Sequence, residues 1–363
     1  MLKELIKNNR ILYIVLFILS LSIIVFVYND YFLYKIPILK IKNIDVIEKS
    51  NNMNKEKIYE QTITGIVLNG KYKNQTYTIK NNTSKSGVYD EQIHKNSELL
   101  LNIDKDKISI IGIKRDKYIA ILLILFVDLI LIVGKAKGIK TLISLIINLI
   151  ISAIVIFIYM RNYNNINILL LFIPISVLFI IISLCITNGR SKKTLSAIIS
   201  SIISLFISFI LSFIIIKLYG KSIPYWNMEY IEIISDYKNL YYVNILLCGL
   251  GAIMDIAITM SSSINELIEK NNNISLESLL KSGKEISKDI TGTMTNVMLF
   301  TCYTSVVPMF LLSLKNGVTI ANTVRMYGQI EMIRVLTSSI SIVLAVPISL
   351  YISIYVLKRW KHD

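Results

Sequence analysis

The stretch GLGAIMDIAITM, residues 249–260, is apolar enough to lie in lipid, yet it carries a carboxylate, Asp255, at its centre. Hydrocarbon does not solvate an ionised aspartate, so this residue needs polar surroundings or a partner inside the membrane. Asp255 lies roughly ten residues from either end of its apolar block, too far for its side chain to reach water. Two interpretations are open: the carboxylate binds a cation or proton, or it hydrogen-bonds to a neighbouring helix.

Long apolar blocks recur along the rest of the chain, which has 363 residues, 54% of them hydrophobic. Each block has about the length that crosses a hydrocarbon layer of ~30 Å, so the sequence predicts an α-helical integral membrane protein. The first block follows MLKELIKNNR and ends without a small-residue cleavage pattern, which favours an uncleaved anchor over a signal peptide. The eight predicted spans are residues 11–28, 118–133, 141–160, 168–187, 194–218, 241–264, 290–314 and 334–357.

The formal net charge of +15 arises from 39 Lys and Arg against 24 Asp and Glu. No basic stripe is interleaved with aromatic residues, so the charge indicates basic loops at a membrane rather than a nucleic-acid partner. Short loops on one side of the predicted membrane carry three or four basic residues, and those on the other side carry one or two. This bias predicts that both termini lie in the cytoplasm, with residues 1–10 and 358–363 as cytoplasmic tails.

Residues 29–117 form the only large polar segment, which this topology places outside the cell as a domain between the first and second spans. Four or five short alternating runs within this segment predict a small extracellular β-barrel or β-sandwich. Asn69-Gly70 lies between two of the runs and predicts a two-residue hairpin turn.

The cytoplasmic stretch 265–289 predicts an amphipathic helix that starts after Ser275 as its N-cap. Its apolar residues recur close to every 3.6 positions, with lysines directed toward headgroups. A stiff connector and a gating element are both consistent with this pattern.

A polar seam runs along one face of the sixth span, because residues three and four apart share a face of a helix. The remaining faces of this helix are apolar, so the seam is expected to face neighbouring helices and to be hidden from lipid. The seam consists of Asn244, Cys248, Gly251, Asp255, Thr259, Ser262 and Glu266.

The seventh span adds Asp289, Thr293 and Asn296 on one face, and the second span adds Asp128. Three carboxylates and an asparagine would then meet in one layer and line a cavity, bind a cation or carry a proton. Simpler interpretations remain for two of them. Asp289 is favoured as a cap at a helix N-terminus, and Asp128 is close enough to the inner membrane surface to reach headgroups.

The fifth span carries a ridge of small residues at intervals of four, which favours close helix packing over a pore lining. Glu331 and Arg334, three residues apart at the outer end of the last span, are expected to form a surface ion pair. The ridge consists of Ser196, Ser200, Ser204, Ser208 and Ser212.

The sequence contains no recognisable nucleophile-and-base motif, phosphate-binding loop or zinc-ligand spacing. Cys185, Cys248 and Cys302 lie singly in apolar blocks, and His94 and His362 are far apart. We therefore expect a protein that is not an enzyme and has no metal or other cofactor.

Several segments resemble the YibE/F family of bacterial multi-pass membrane proteins. The most specific are GLGAIMDIAITMSSSINEL at 249–267 and LLKSGKEISKDITGTMTNVMLF at 279–300, which contain a GxxMD motif followed by KDxxGTMTN. The likeness covers most of residues 57–357. It implies a transporter whose substrate is not defined, and its motif positions are Gly251, Asp255, Asp289, Gly292, Thr293 and Asn296.

The leading functional hypothesis is a secondary permease, coupled to ions or protons, in which Asp255, with Asp289 and Asn296, binds a coupling cation or a small cationic or polar solute. The alternative is a membrane scaffold or envelope-stress component whose outer β domain recruits partners. The expected partners are the lipid bilayer and a small solute or coupling cation, with a second copy of the chain or an envelope protein as further candidates.

Overall fold

The computed structural model describes residues 9–51, 57–84, 90–104, 107–162, 166–219 and 237–359. The predicted cytoplasmic tails therefore lie largely outside the described residues, as does His362. The chain divides into two compact units, Met1–Gly138 and Ile139–Asp363. The first contains a small antiparallel sheet and apolar helix, and the second is entirely helical where it is described.

The helices are α1 (Asn9–Tyr28), α2 (Asp116–Arg161), α3 (Ile168–Asn188), α4 (Lys192–Tyr219), α5 (Tyr237–Cys248), α6 (Leu250–Lys270), α7 (Leu276–Lys315), α8 (Ile320–Thr323) and α9 (Gln329–Arg359). A 3-10 turn (Asp30–Leu33) follows α1, and a π-helical turn (Val324–Gly328) joins α8 to α9. The strands are β1 (Ile38–Asn51), β2 (Lys57–Val67), β3 (Thr76–Ser84), β4 (Glu98–Asp104) and β5 (Lys107–Ile113).

The described chain has six helices that are long and apolar enough to cross a membrane, and a shorter apolar helix at Ile14–Tyr28. Each predicted span falls on helical residues, the sixth on α5 and α6 together, so a mostly helical fold with several long apolar helices is confirmed. The number of long helices is two fewer than eight, because the first predicted span is one of the shorter helices and the second and third spans lie in one helical segment, α2. Eight crossings remain a prediction.

The break inside α2 shows why one helical segment covers two predicted spans. Its 46 residues would extend about 69 Å as a straight helix, more than twice the thickness of the hydrocarbon layer. Lys135 leaves the helical conformation, with φ 47° and ψ −123°. At Gly138 a Cβ atom would lie 2.3 Å from the carbonyl oxygen of Ile130, so only glycine fits where the chain bends sharply.

The sheet has five antiparallel strands in the order β3-β2-β1-β4-β5. The described strands thus form one sheet rather than the two that a sandwich requires. Alternate residues of the central strands point to one side and are fully buried, as expected for a sheet with one covered face. This core includes Leu39, Ile41, Ile63, Val67, Leu99 and Leu101.

The prediction of a two-residue turn at Asn69-Gly70 is wrong. The strands β2 and β3 do form a hairpin, but residues 68–75 connect them through a 3-10 turn that starts at Gly70. Asn69 is instead buried, and its side chain makes three hydrogen bonds to the backbone. It accepts from the N–H of Ile38 at 2.7 Å and donates to the carbonyls of Tyr34 and Ile36 at 2.9 and 3.0 Å. The asparagine therefore fixes the segment that leads into β1.

The amphipathic pattern at 265–289 also differs from its prediction. Ser275 is the N-cap, as predicted, and its hydroxyl accepts from the backbone N–H of Ser278 at 3.1 Å. However, α6 continues to Lys270, and α7 runs without a break from Leu276 to Lys315. The predicted interfacial helix is thus the first part of a longer helix, since the residues around 289 include no helix-terminating signal strong enough to stop it.

In the second unit, α9 packs against α4, α6 and α7. The five serines of the α4 ridge are all buried, and Ser196 donates to Ser353 of α9 at 3.1 Å between the two hydroxyl oxygens. Ser200, Ser208 and Ser212 donate to the carbonyl four residues earlier in their own helix. Their hydroxyls are therefore satisfied locally while the small side chains allow close packing.

We predict that Asn69→Ala loosens the entry to β1, because it leaves the buried N–H of Ile38 and two carbonyls without partners. A loss of about 2 kcal/mol in local stability corresponds to roughly 30-fold faster amide hydrogen exchange in residues 36–41, measured by mass spectrometry. Asn102→Ala is the matched control, since Asn102 is exposed on β4. Equal exchange rates in the two variants would show that the Asn69 contacts do not stabilise this segment.

Candidate functional site

Helix α6 has one buried face and one exposed face. Ile253, Ile256, Met260 and Ile264 are fully buried in the helical core. Gly251, Asp255 and Thr259 lie on the exposed face, and no atom would lie within 4 Å of a Cβ added to Gly251. The expectation that neighbouring helices hide this seam is therefore not met by the described residues. Ser262, Asn244 and Cys248 are half-buried, and Glu266 is exposed.

The carboxylate of Asp255 has no hydrogen-bond or ion-pair partner among the described residues. Other polar side chains in the same helix do have such partners: Ser261, for example, donates to the carbonyl of Lys193 on α4 at 2.7 Å. The helix α6 therefore hydrogen-bonds to a neighbouring helix from its buried face, and Asp255 takes no part in this bonding. The structural interpretation of Asp255 receives no support from this geometry.

Helix α7 presents its predicted site residues in the same way. Asp289, Gly292, Thr293 and Asn296 are exposed, whereas Met294 and nearby apolar residues pack against the core. The interpretation of Asp289 as a helix N-terminal cap is wrong, because α7 begins at Leu276, thirteen residues earlier. Thr293 donates to the carbonyl of Asp289 at 3.0 Å, a bond within the helix.

The two exposed faces lie at a similar depth along the α6–α7 hairpin. Asp255 is 15 residues before the end of α6 at Lys270, which corresponds to about 23 Å of helix. Asp289 and Thr293 are 13 and 17 residues after the start of α7 at Leu276, or about 20 and 26 Å. We call this set, Gly251, Asp255, Thr259, Asp289, Thr293 and Asn296, the polar layer.

Asp128 has a different environment, in the first unit. Ser20 of α1 donates to its carboxylate at 2.7 Å between Oγ and Oδ2. Ser20 is buried and Asp128 is half-buried, so this bond joins α1 to the first arm of α2. The bond gives Asp128 a packing role that the sequence pattern did not indicate.

The interior of the helical unit is closed where α4, α5 and α9 meet. The space beside Ser208, Gly249 and Ser341 leaves no room for a water molecule. A Cβ added to Gly249 would lie 3.2 Å from the Cβ of Ser341, so glycine allows α9 to approach the junction of α5 and α6. The described interior thus offers no passage for a solute through this part of the bundle.

A second charged group, missed as a site by the sequence pattern, lies between α7 and α9. Glu331 and Arg334 form an ion pair, with side chains only 14% and 23% exposed. Ser305 of α7 donates to Glu331 at 3.2 Å and accepts from Arg334 at 3.3 Å. The Nε atom of Arg334 is buried and has no partner among the described residues.

This pair is not the surface ion pair that the sequence predicted. Ser305 is ten residues before the end of α7, and the residues that follow it, VVPMFLL at 306–312, are apolar. The helix containing the pair also begins earlier than predicted, because α8 and the π-helical turn continue into α9. In the sequence, the only sign of this pair was that two opposite charges lie three residues apart beside an apolar block. That spacing could not show that Ser305 of α7 is their partner.

The described residues contain no group of three or more His, Cys, Asp or Glu side chains that could hold a metal ion. The polar layer presents carboxylate, amide and hydroxyl oxygens on the two adjacent helices α6 and α7. Such oxygens bind small cations or exchange protons.

Together, the small antiparallel sheet and the long apolar helices define a membrane-associated protein of mixed architecture. Residues 122–359 match the family described as YibE/F-like protein, and residues 32–114 match the YibE/F family N-terminal domain. The chain therefore belongs to the YibE/F family. No curated protein and no solved structure matches it.

We predict that Arg334→Gln destabilises the protein, because it leaves the carboxylate of Glu331 largely buried without its counter-charge. The expected loss is about 2–3 kcal/mol, measured by equilibrium unfolding in mixed detergent micelles. Lys288→Gln is the matched control, since Lys288 forms an ion pair with Glu285 at the same spacing but on an exposed surface of α7. Adding Glu331→Gln to Arg334→Gln should restore part of the loss. A loss no larger than that of the control would show that the pair does not stabilise the α7–α9 contact.

Proposed function

We propose that this chain is a secondary permease of the bacterial plasma membrane that uses the polar layer to bind a coupling cation or a small cationic or polar solute. Asp255 supplies the charge, and Asp289 and Asn296 supply further oxygen ligands. The protein crosses the membrane eight times with both termini in the cytoplasm, so that the sheet lies outside the cell. The basic residues of its short loops support this orientation.

The observation that carries the proposal is the position of Asp255. A carboxylate lies on an apolar helix, at the depth of a second acid on the adjacent helix, and no described residue satisfies it. Retaining such a group costs about 2.5–3.5 kcal/mol on insertion scales, which selection for packing alone does not explain. A solute or cation that reaches the polar layer would supply the missing partner.

The tight packing of α4, α5 and α9 supports the same location. Since the described interior has no room for water beside Gly249, a solute path is better placed along the exposed faces of α6 and α7. The break between α5 and α6 at Gly249 and the proline at position 308 give these spans points at which they can bend.

One observation favours the scaffold alternative. Beyond Lys40 the strand β1 is paired with β2 but not with β4, so one edge of residues 43–51 has no strand partner among the described residues. Val46 and Ile47 on this segment are 54% and 64% exposed. An unpaired edge with exposed apolar side chains is a surface to which a partner strand can add.

Transport in proteoliposomes tests the proposed permease. We expect the reconstituted protein to admit at least one of H⁺, Na⁺ or K⁺ under an imposed gradient, followed with trapped fluorescent dyes. Asp255→Asn should lower that flux about tenfold or more, because the amide lacks the charge that binds the cation. Glu266→Gln is the matched control, an acid-to-amide change on the same helix where Glu266 pairs with Lys270 at the exposed end; we expect its flux to stay near the native value.

Equal flux from the native protein and Asp255→Asn would remove Asp255 from the mechanism. Flux no greater than that of protein-free vesicles for all three cations would contradict a cation-coupled permease. In the scaffold alternative, a cellular phenotype survives Asp255→Asn but is lost when Val46 and Ile47 are both changed to Lys.

A further inference from the structure

A cluster of buried charges and tyrosines lies where the sheet joins α1 and α2 in the first unit. Asp30, Glu98 and Lys114 are 6%, 5% and 4% exposed, values that charged residues reach only when they are paired. They come from the 3-10 turn after α1, the start of β4 and the segment between β5 and α2. With Tyr31, Tyr34, Asp116 and Lys117 they form what we call the junction cluster.

Lys114 is the centre of the cluster. Its Nζ atom lies 2.7 Å from Asp30 Oδ1 and 2.7 Å from Asp116 Oδ2, and 5.0 Å from the ring centroid of Tyr34. Tyr34 in turn donates to Asp116 at 2.9 Å. Burial by itself lowers the pKa of a lysine, but the hydrogen bonds to Asp116 and Asp30 outweigh it and raise the pKa of Lys114. The lysine therefore stays charged and joins the end of α1 to the start of α2.

Glu98 forms the second half of the cluster and links β4 to the same two helices. Its Oε1 atom accepts from Tyr31 at 2.7 Å and from Lys117 at 2.6 Å. Lys117 Nζ also lies 4.9 Å from the ring centroid of Tyr28, the last residue of α1. Burial and the bond to Glu98 raise the pKa of Tyr31, so its hydroxyl remains a donor.

A second connection between the helices lies farther along them. Asp128, which accepts from Ser20, is twelve residues after Asp116, or about 18 Å along α2. The helix α1 and the first arm of α2 are thus joined at two separated points. At one of these points the sheet is joined to both.

We propose that the junction cluster makes the sheet, α1 and the first arm of α2 one rigid lever, so that a partner or ligand that displaces the sheet also displaces both helices. A chain connection alone would let the sheet move independently, since a few exposed linker residues resist bending little. A buried, multiply bonded charge network resists it, because any opening leaves charges unpaired in a poorly solvated place. The proposal goes beyond transport, because it assigns the sheet a mechanical role whatever the helices carry.

The neighbouring residue provides a matched control. Arg115 pairs with Glu91 at 2.7 Å, the same distance as the Lys114 pairs, but both side chains are about half exposed and neither belongs to α1. Replacing Arg115 removes one ion pair beside the cluster without disturbing the link between the sheet and the helices.

The test measures how fast positions 20 and 128, where α1 contacts α2 away from the junction cluster, can be cross-linked after the cluster has been altered. Full-length protein in native membrane vesicles carries Ser20→Cys and Asp128→Cys, with Cys185, Cys248 and Cys302 changed to Ser. A short bis-methanethiosulfonate reagent links the two cysteines, and the rate of linking is followed by gel. We expect Lys114→Met to slow the linking about fivefold or more, and Arg115→Met to leave it within about twofold of the parent.

Tyr31→Phe is the milder variant, since it removes one hydroxyl and keeps every charge. It should slow the linking about threefold, and it decides the outcome if Lys114→Met does not fold. Linking at the parent rate in folded Lys114→Met, or in Tyr31→Phe where the first variant is unfolded, would overturn the proposal. The readout is independent of flux, so failure of the lever and failure of the permease are distinguishable.

Discussion

A polar side chain in an apolar layer has no water to bond to, so its partner must come from the protein or from something the protein binds. The described chain meets this constraint in three ways. Serines of the α4 ridge bond to carbonyls of their own helix, Ser20 and Asp128 bond between two helices, and Glu331 and Arg334 neutralise each other beside Ser305. Asp255 follows none of these patterns. Unlike the buried hydroxyls of Ser201 and Ser204, which also have no partner among the described residues, it is a carboxylate on an exposed face.

The same constraint divides the helical unit into a closed core and an exposed polar layer. The core depends on small residues: serines on α4 and α9 and the glycine at 249 bring helices close enough to exclude water. The polar layer lies on the other side of α6 and on α7, where a methyl group added at Gly251 or Gly292 would meet nothing within 4 Å. One face of α6 therefore packs against the core, and the candidate site residues lie on the opposite face.

Local patterns in the sequence were sufficient to locate the apolar helical regions, a strand-rich segment and the cap at Ser275, because each depends on residues only a few positions apart. They failed where a distant residue decides the outcome. Asn69 followed by glycine has the form of a tight turn, but its amide is committed to backbone groups of residues 34–38. Asp289 can cap a helix only if a helix begins there. The sequence around it mixes polar and apolar residues, so it did not show that α7 continues through this position.

The candidate site was predictable to the same extent. Periodicity placed Asp255, Thr259 and Gly251 on one face of a helix, and the structure has them on one face. Which face is buried depends on how α4, α6 and α9 assemble, and that arrangement involves contacts across more than a hundred residues. The buried role of Lys114 was equally hidden, since its two carboxylate partners are separated by 86 positions (Asp30 and Asp116).

The π-helical turn at Val324–Gly328 accommodates one more residue than an ordinary helical turn. Each residue rotates a helix by about 100°, so the turn sets the angular offset between α8 and α9. Without it, Thr323, which is now 1% exposed, would rotate away from the interior while Glu331 and Arg334 kept their places. Deleting one residue from this turn would therefore rotate α8 relative to α9 by about 100°, without moving the Glu331–Arg334 pair.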